Sequence, residues 1–133
     1  MLMLPVSARE TTMSNATVMI VDDALFMRNI LGTILREKGY TVVAEAASGI
    51  ETMKKLHGCD PDIIFLDIIL PDANGIQLLD AIRKIKPQAK VILCSAIGQE
   101  AIVRKGLDQG ARYYVQKPFS PEKIAEALES LGE

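Results

Sequence analysis

Five times along this chain a short apolar run is followed by a stretch with amphipathic helical spacing, and this alternation restricts the fold more than any other feature. The runs are Thr17–Val21, Thr41–Ala46, Asp62–Leu66, Lys90–Cys94 and Arg112–Gln116. Runs one, three and four lack polar alternation, as expected of strands covered on both faces. The first helix is expected from about Ala24 to Lys38, with Phe26, Ile30, Ile34, Leu31 and Leu35 at near-helical spacing and Gly39 ending it. Ser48-Gly-Ile-Glu51 reads as a capping box for the second. Asn74 can cap a third that carries Ile76, Leu79, Ile82 and Ile85, and a fourth runs from about Gln99 to Gln109, stopping near Gly110. Ser120 followed by Pro121 supplies an N-cap and an N1 proline for a fifth with Ile124, Leu128 and Leu131. Five consecutive βα units predict an α/β fold: a doubly wound parallel sheet with helices on both faces.

The 133 residues suit one domain with one core, and 49% of them are apolar, which argues against a disordered chain. Met1 to Ala16 show no sustained periodicity and read as a flexible N-terminal extension before a domain spanning 17–133, and Met13 could itself begin the folded unit. A formal net charge of −2, with both signs spread along the chain, offers no basic footprint for nucleic acid or anionic lipid. No apolar run approaches the roughly 18 residues that span a bilayer, and Met1–Val6 lacks the basic flank of a signal peptide. Cys59 and Cys94 have no metal-ligand spacing and suit a reducing, cytoplasmic setting, with Cys94 read as a small buried hydrophobe.

In open α/β sheets ligands bind beyond the carboxyl ends of the strands, so the polar residues that stand there carry the chemistry. Asp22 and Asp23 follow the first strand, Asp67 the third, Ser95 the fourth and Lys117-Pro118 the fifth. Three carboxylates, a hydroxyl and an ammonium therefore converge on one rim. Carboxylates this close repel and need more compensation than one lysine provides. An oxygen-only set without His or Cys suits a hard cation that keeps several waters, magnesium first and manganese as a substitute. A carboxylate beside such a cation can attack phosphorus and form an aspartyl-phosphate, with Lys117 and the Ser95 hydroxyl meeting the other phosphoryl oxygens. Taken singly, each residue has a plainer explanation: Asp23 could be only a helix N-cap, Asp67 the start of the turn through Pro71, and Ser95 a turn residue. Asp22 has no capping role to fall back on. His57, near the end of the second helix, reads as a surface residue.

Val21-Asp-Asp23, Leu66-Asp67 with Pro71 and Gly75 behind it, Ser95-Ala96 and Lys117-Pro-Phe119 occur in this order and at these separations over Thr17 to Leu131. The constellation resembles the receiver domain of two-component response regulators. The resemblance implies a flavodoxin-like, CheY-like sheet of order 2-1-3-4-5 with five helices. It implies Asp67 as phosphoryl acceptor, Asp22, Asp23 and Asp67 as magnesium ligands with the backbone carbonyl of Ile69, Ser95 and Lys117 as phosphoryl contacts, and a cis Lys117–Pro118 bond. It places Tyr114 at an aromatic switch position coupled to Ser95. The implied donor is a sensor histidine kinase or phosphotransfer protein, and the implied output is a downstream protein that reads the face of helix four, strand five and helix five. The implied state is a monomer or a weak phosphorylation-dependent dimer. Asp22-Asp23-Ala-Leu-Phe-Met-Arg28 and Cys94-Ser-Ala-Ile-Gly-Gln99 look like the stand-alone, chemotaxis-type members, an assignment that suits a chain ending just after its fifth helix. The alternative is a receiver fragment of a larger regulator with an output domain elsewhere. The chain departs from the pattern twice: Ser95 stands where threonine is commoner, and Ile69 puts a bulky apolar group where nothing can position an attacking water.

Other functions fit less well. An aspartate-nucleophile phosphohydrolase of the haloacid dehalogenase type needs a second Asp two residues after the nucleophile, where this chain has Ile69, so a multiple-turnover enzyme is not expected. A vestigial interaction module is disfavoured by the intact set of five site residues. No Gly-rich phosphate loop follows the first strand, which argues against a nucleotide-binding protein.

Overall fold

The computed structural model describes residues 16–132. Five strands, β1 (Thr17–Val21), β2 (Thr41–Ala46), β3 (Ile63–Asp67), β4 (Lys90–Ser95) and β5 (Tyr113–Gln116), alternate with five helices. These are α1 (Leu25–Glu37), α2 (Gly49–Leu56), α3 (Gly75–Ile85), α4 (Glu100–Asp108) and α5 (Pro121–Ser130). The strands form one parallel sheet in the order β2-β1-β3-β4-β5.

Side chains alternate across a strand, so each uninterrupted apolar run feeds two cores at once. Val18, Ile20, Ile63, Phe65, Ile92 and Cys94 pack with Leu31, Leu35, Ile124 and Leu128 of α1 and α5. Met19, Val21, Ile64, Leu66, Val91 and Leu93 pack with Leu56, Leu79, Ile82 and Val103 of α2, α3 and α4. The edge strands β2 and β5 are the exceptions, each with a single buried residue. The register of β2 with β1 slips between Val18 and Met19, leaving Val43 as the extra residue of a bulge.

Strand ends differ by one residue from the sequence reading, and pairing explains why. Asp67 pairs with Cys94 and Ser95 with Gln116, so both polar residues are the last members of their strands and not the first of the loops. Asp62 lies outside β3, where its carboxylate accepts hydrogen bonds from the Thr17 amide (2.8 Å) and hydroxyl (3.1 Å). Arg112 precedes β5, although its amide still bonds to Val91 O. Ala16, assigned by sequence to the extension, is buried and accepts the Thr41 amide; the remainder of that extension lies outside the described residues.

The caps follow the sequence. Ser48 accepts the Glu51 amide at 3.1 Å, and Glu51 reaches back to the Ala47 amide at 2.6 Å, one residue beyond its usual target. Asn74 and Ser120 cap α3 and α5 through the Gln77 and Lys123 amides. Gly39 follows α1 with φ of +92°, a conformation that side chains with a Cβ disfavour. Two apolar residues that helical spacing assigns to the core face outward, Phe26 (71% exposed) and Ile85 (41%), while Leu78 is buried. Among the described residues no helix is long and apolar enough to cross a membrane.

Candidate functional site

β1, β3 and β4 end together at the centre of the sheet, and that is where polar groups replace the apolar run. Asp22, Asp67 and Ser95 are buried among the described residues, joined by Thr52 as the only other buried polar side chain. Burying carboxylates is costly unless something compensates them. Lys117, half-buried in the segment after β5, supplies part of the compensation: its Nζ lies 2.7 Å from Asp22 Oδ2 and 3.1 Å from Asp67 Oδ2. Backbone amides supply more, with Ala24 donating to Asp22 Oδ1 at 2.9 Å and Ile69 to Asp67 Oδ1 at 3.2 Å. The Lys117–Pro118 bond is cis, as the resemblance implied.

The compensation is incomplete. Asp22 Oδ2 is buried and, although close to Lys117, has no aligned hydrogen bond. Asp22, Asp23 and Asp67 each present a carboxylate oxygen, and these oxygens all lie within 4.8 Å of one another. Burial holds the Asp67 carboxyl above the usual carboxylate range; the Lys117 charge and the Ile69 amide pull the other way, and the Asp22 charge adds to the rise. Burial by itself would lower the Lys117 ammonium, but its contact with Asp22 and the charges of Asp67 and Asp22 outweigh that and raise it. A site in which three carboxylates share one ammonium, with only oxygen donors, fits a hard divalent cation.

Asp23 is exposed and does not cap α1; the N-cap is Ala24, with no side-chain cap. The plain capping explanation for Asp23 is therefore removed. Asp22, in contrast, does have a local backbone role, since it receives the Ala24 amide two residues on. Ile69 is 49% exposed at the mouth of the site and forms an isolated antiparallel bridge with Asn74 across the β3–α3 loop. Ser95 ends β4 beside β3, and Tyr114 lies on β5. They border a separate cleft of about 230 Å³ between β4, β5 and α4, also lined by Val103, Arg104 and Gln116. Tyr114 is 45% exposed and turned outward. Of the adjacent pair Ile102 and Val103 on α4, Val103 is buried and Ile102 half-buried.

Burial pushes the Cys94 thiol up, which keeps it an inert core residue. His57 is exposed, with Nδ1 2.7 Å from Met53 O. Two polar residues near the site escaped the sequence reading. Asp72 accepts the Gly49 (2.7 Å) and Ile50 (3.0 Å) amides, tying the β3–α3 loop to the start of α2 and lowering its own carboxyl below the usual range. Arg28 donates from Nη1 to Asp22 O at 2.7 Å and from Nε to Glu45 Oε1 at 3.0 Å. Asp72 reaches back more than twenty residues and Arg28 pairs with Glu45 seventeen residues on, so no local pattern announces these contacts.

Comparison with known proteins places this geometry among relatives. Residues 18–129 match the family model described as the response regulator receiver domain. The chain is 44% identical over 115 residues to the chemotaxis protein CheY of Thermotoga maritima, covering 86% of this chain and 96% of that protein. It is 43% identical over 112 residues to the CheY of Listeria monocytogenes, covering 84% and 94%. Among solved structures, the CheX–CheY–BeF3–Mg complex from Borrelia burgdorferi superposes with a TM-score of 0.80 at 33% identity, covering 89% of this chain and 90% of that one. A CheY-like receiver domain protein from Methanospirillum hungatei also gives a TM-score of 0.80, at 28% identity, covering 88% and 93%.

Proposed function

Since the chain belongs to the response regulator receiver domain family, we propose that it accepts a phosphoryl group on Asp67 and thereby changes how another protein binds it. The observation that carries this reading is the buried Asp67 carboxylate at the central strand end, 3.1 Å from Lys117 and clustered with Asp22 and Asp23. In the transfer, a carboxylate oxygen of Asp67 forms a bond to phosphorus as the donor's bond to phosphorus, from a phosphohistidine or acetyl phosphate, breaks. Magnesium, held by Asp22, Asp23, Asp67 and the Ile69 carbonyl, would neutralise charge on the carboxylates and on the phosphoryl oxygens. Lys117 already spans Asp22 and Asp67, so it reaches a phosphoryl oxygen with little movement. The likeness to CheY proteins favours a chemotaxis-type, cytoplasmic regulator served by a histidine kinase or phosphotransfer protein.

The apolar side chain of Ile69 at the mouth offers no group to orient water, which favours an acceptor that holds its phosphoryl group over a phosphatase that turns over. Mass spectrometry after mixing with acetyl phosphate and magnesium tests the reading: one magnesium-dependent phosphoryl adduct per chain is expected. A chromogenic phosphate ester should give no multiple turnover.

Asp23→Ala is expected to weaken magnesium binding by roughly tenfold or more, since a direct ligand should matter at least as much as an outer-shell partner. Without metal it should raise thermal stability, because one of three repelling carboxylates is gone. An unchanged titration curve for magnesium would remove Asp23 from the metal site.

The cleft between Ser95 and Tyr114 supports a two-state output. Drawing the Ser95 hydroxyl toward a phosphoryl group would free space into which Tyr114 turns, altering the α4–β5–α5 face. With a beryllofluoride mimic, affinity for a partner or for a second copy should change by roughly 5- to 150-fold, and Ser95→Ala should blunt the change. A partner that binds both states equally removes the switch. A response intact in Ser95→Ala keeps the switch but discards this route.

A further inference from the structure

Asp22 is fastened from several sides, by the Ala24 amide, by Lys117 and by its own amide bonding to Ala46 O. Asp23 is different. It is exposed, and among the described residues its carboxylate has no hydrogen bond or ion pair, yet one of its oxygens still lies within 4.8 Å of those of Asp22 and Asp67. Its aim must therefore come from the backbone. The peptide joining Asp22 to Asp23 is planar, so the orientation of the Asp22 carbonyl also determines where the Cα of Asp23 stands. That carbonyl accepts the Arg28 guanidinium at 2.7 Å.

Arg28 is well placed to hold it. It sits in the first turn of α1, its own amide bonds to Ala24 O, and its side chain is only 15% exposed. The planar guanidinium is braced at its other edge by Glu45 Oε1 at 3.0 Å, from β2. Arg28 thus ties the β1–α1 turn to a neighbouring strand. Glu45 also answers a charge problem. A lone guanidinium beside a cation site would repel the cation, and the Glu45 carboxylate neutralises it, with Arg36 only weakly engaged at 3.8 Å.

We infer that Arg28, braced by Glu45, is a positioning residue for the metal site, holding the Asp22–Asp23 peptide so that the otherwise unsupported Asp23 carboxylate faces Asp67. The inference deepens the proposed magnesium site and rests on it. Arg28 touches neither phosphoryl group nor metal; it acts through the backbone of the ligand.

The test compares magnesium titrations, followed by amide NMR shifts, of the wild-type chain and of Arg28→Met, alone and with Asp23→Ala. Arg28→Met should bind magnesium roughly 10- to 100-fold more weakly, and in the metal-free protein the Asp23 amide should show increased mobility. In the Asp23→Ala background the same substitution should cost little more, because what Arg28 positions has been removed. Arg28→Lys, which cannot serve both acceptors, should fall between, and it replaces Arg28→Met if that variant does not fold. Unchanged or tighter magnesium binding in the Arg28 variants overturns the inference, as does a loss of equal size with and without Asp23. A wild-type chain that binds no magnesium fails the underlying reading instead, and the metal-free mobility of Asp23 still reports on Arg28.

Discussion

Asp67→Asn will take up no phosphoryl group from acetyl phosphate and magnesium, while the wild-type chain takes up one. The amide has the shape of the carboxylate but is a poor nucleophile. Asp22 and Asp23 are the only other carboxylates in the cluster, and neither ends the central strand. Intact-mass spectrometry reads the outcome, and undiminished labelling of the variant would move the acceptor elsewhere. The same substitution should raise stability in the metal-free protein at neutral pH. Burial raises the Asp67 carboxyl, so its ionised form is disfavoured in the fold. A raised folded-state pKa contributes stability that is present below the unfolded carboxyl's pKa and is lost as pH rises through the folded one. Ionisation of this carboxyl therefore takes stability away as pH rises through its folded pKa, and Asp67→Asn, which cannot ionise, should not share that loss. Thermal melts at acid and neutral pH, without magnesium, make the comparison.

Gly75→Ala will be the most damaging small substitution near the site. A Cβ at Gly75 would run into Ile68 Cα and lie 3.0 Å from the Ile68 carbonyl carbon and oxygen. These are backbone atoms that cannot rotate aside, and the Gly75 amide is bonded to Ile68 O at 2.7 Å. Ile68 directly follows Asp67, so relief of the clash must displace the acceptor's strand end or the start of α3. Forcing a methyl into such a contact costs about 2–3 kcal/mol, a fall in Tm on the order of 10 °C for a chain of this size. Phosphoryl uptake should slow as well. Gly58→Ala is the control: its Cβ would meet only Lys55 O at 3.8 Å, and a change within about 0.5 kcal/mol is expected. Equal melting temperatures for the two variants would show that the loop yields where the geometry says it is tight.

Much of this was legible in the residues. Burial on both faces of a parallel sheet forces unbroken apolar runs, and β1, β3 and β4 show them, so the strands could be found without knowing their neighbours. Caps are equally local: Ser48, Asn74 and Ser120 accept amides three residues ahead. The site could be found because a parallel sheet gathers all its strand ends on one rim, which turns Asp22, Asp67, Ser95 and Lys117 into neighbours whatever their separation. Strand ends were less legible, since whether Asp67 and Ser95 belong to strand or loop depends on pairing with Cys94 and Gln116. The outward turn of Phe26 was hidden because periodicity marks an apolar face but not how far the sheet beneath it extends.

The five βα units, the rim on which the chemistry stands and the residue types that stand there are written in local pattern, because periodicity, capping and strand-end polarity act over a few residues. How those groups are held is set by folding alone. The Lys117 bridge between Asp22 and Asp67, the Asp72 tie to α2, the Arg28 link from the β1–α1 turn to Glu45 and the close passage of Gly75 over Ile68 all join residues brought together by folding. Their physical basis is distance and direction between separate elements, quantities set once strands pair and helices dock.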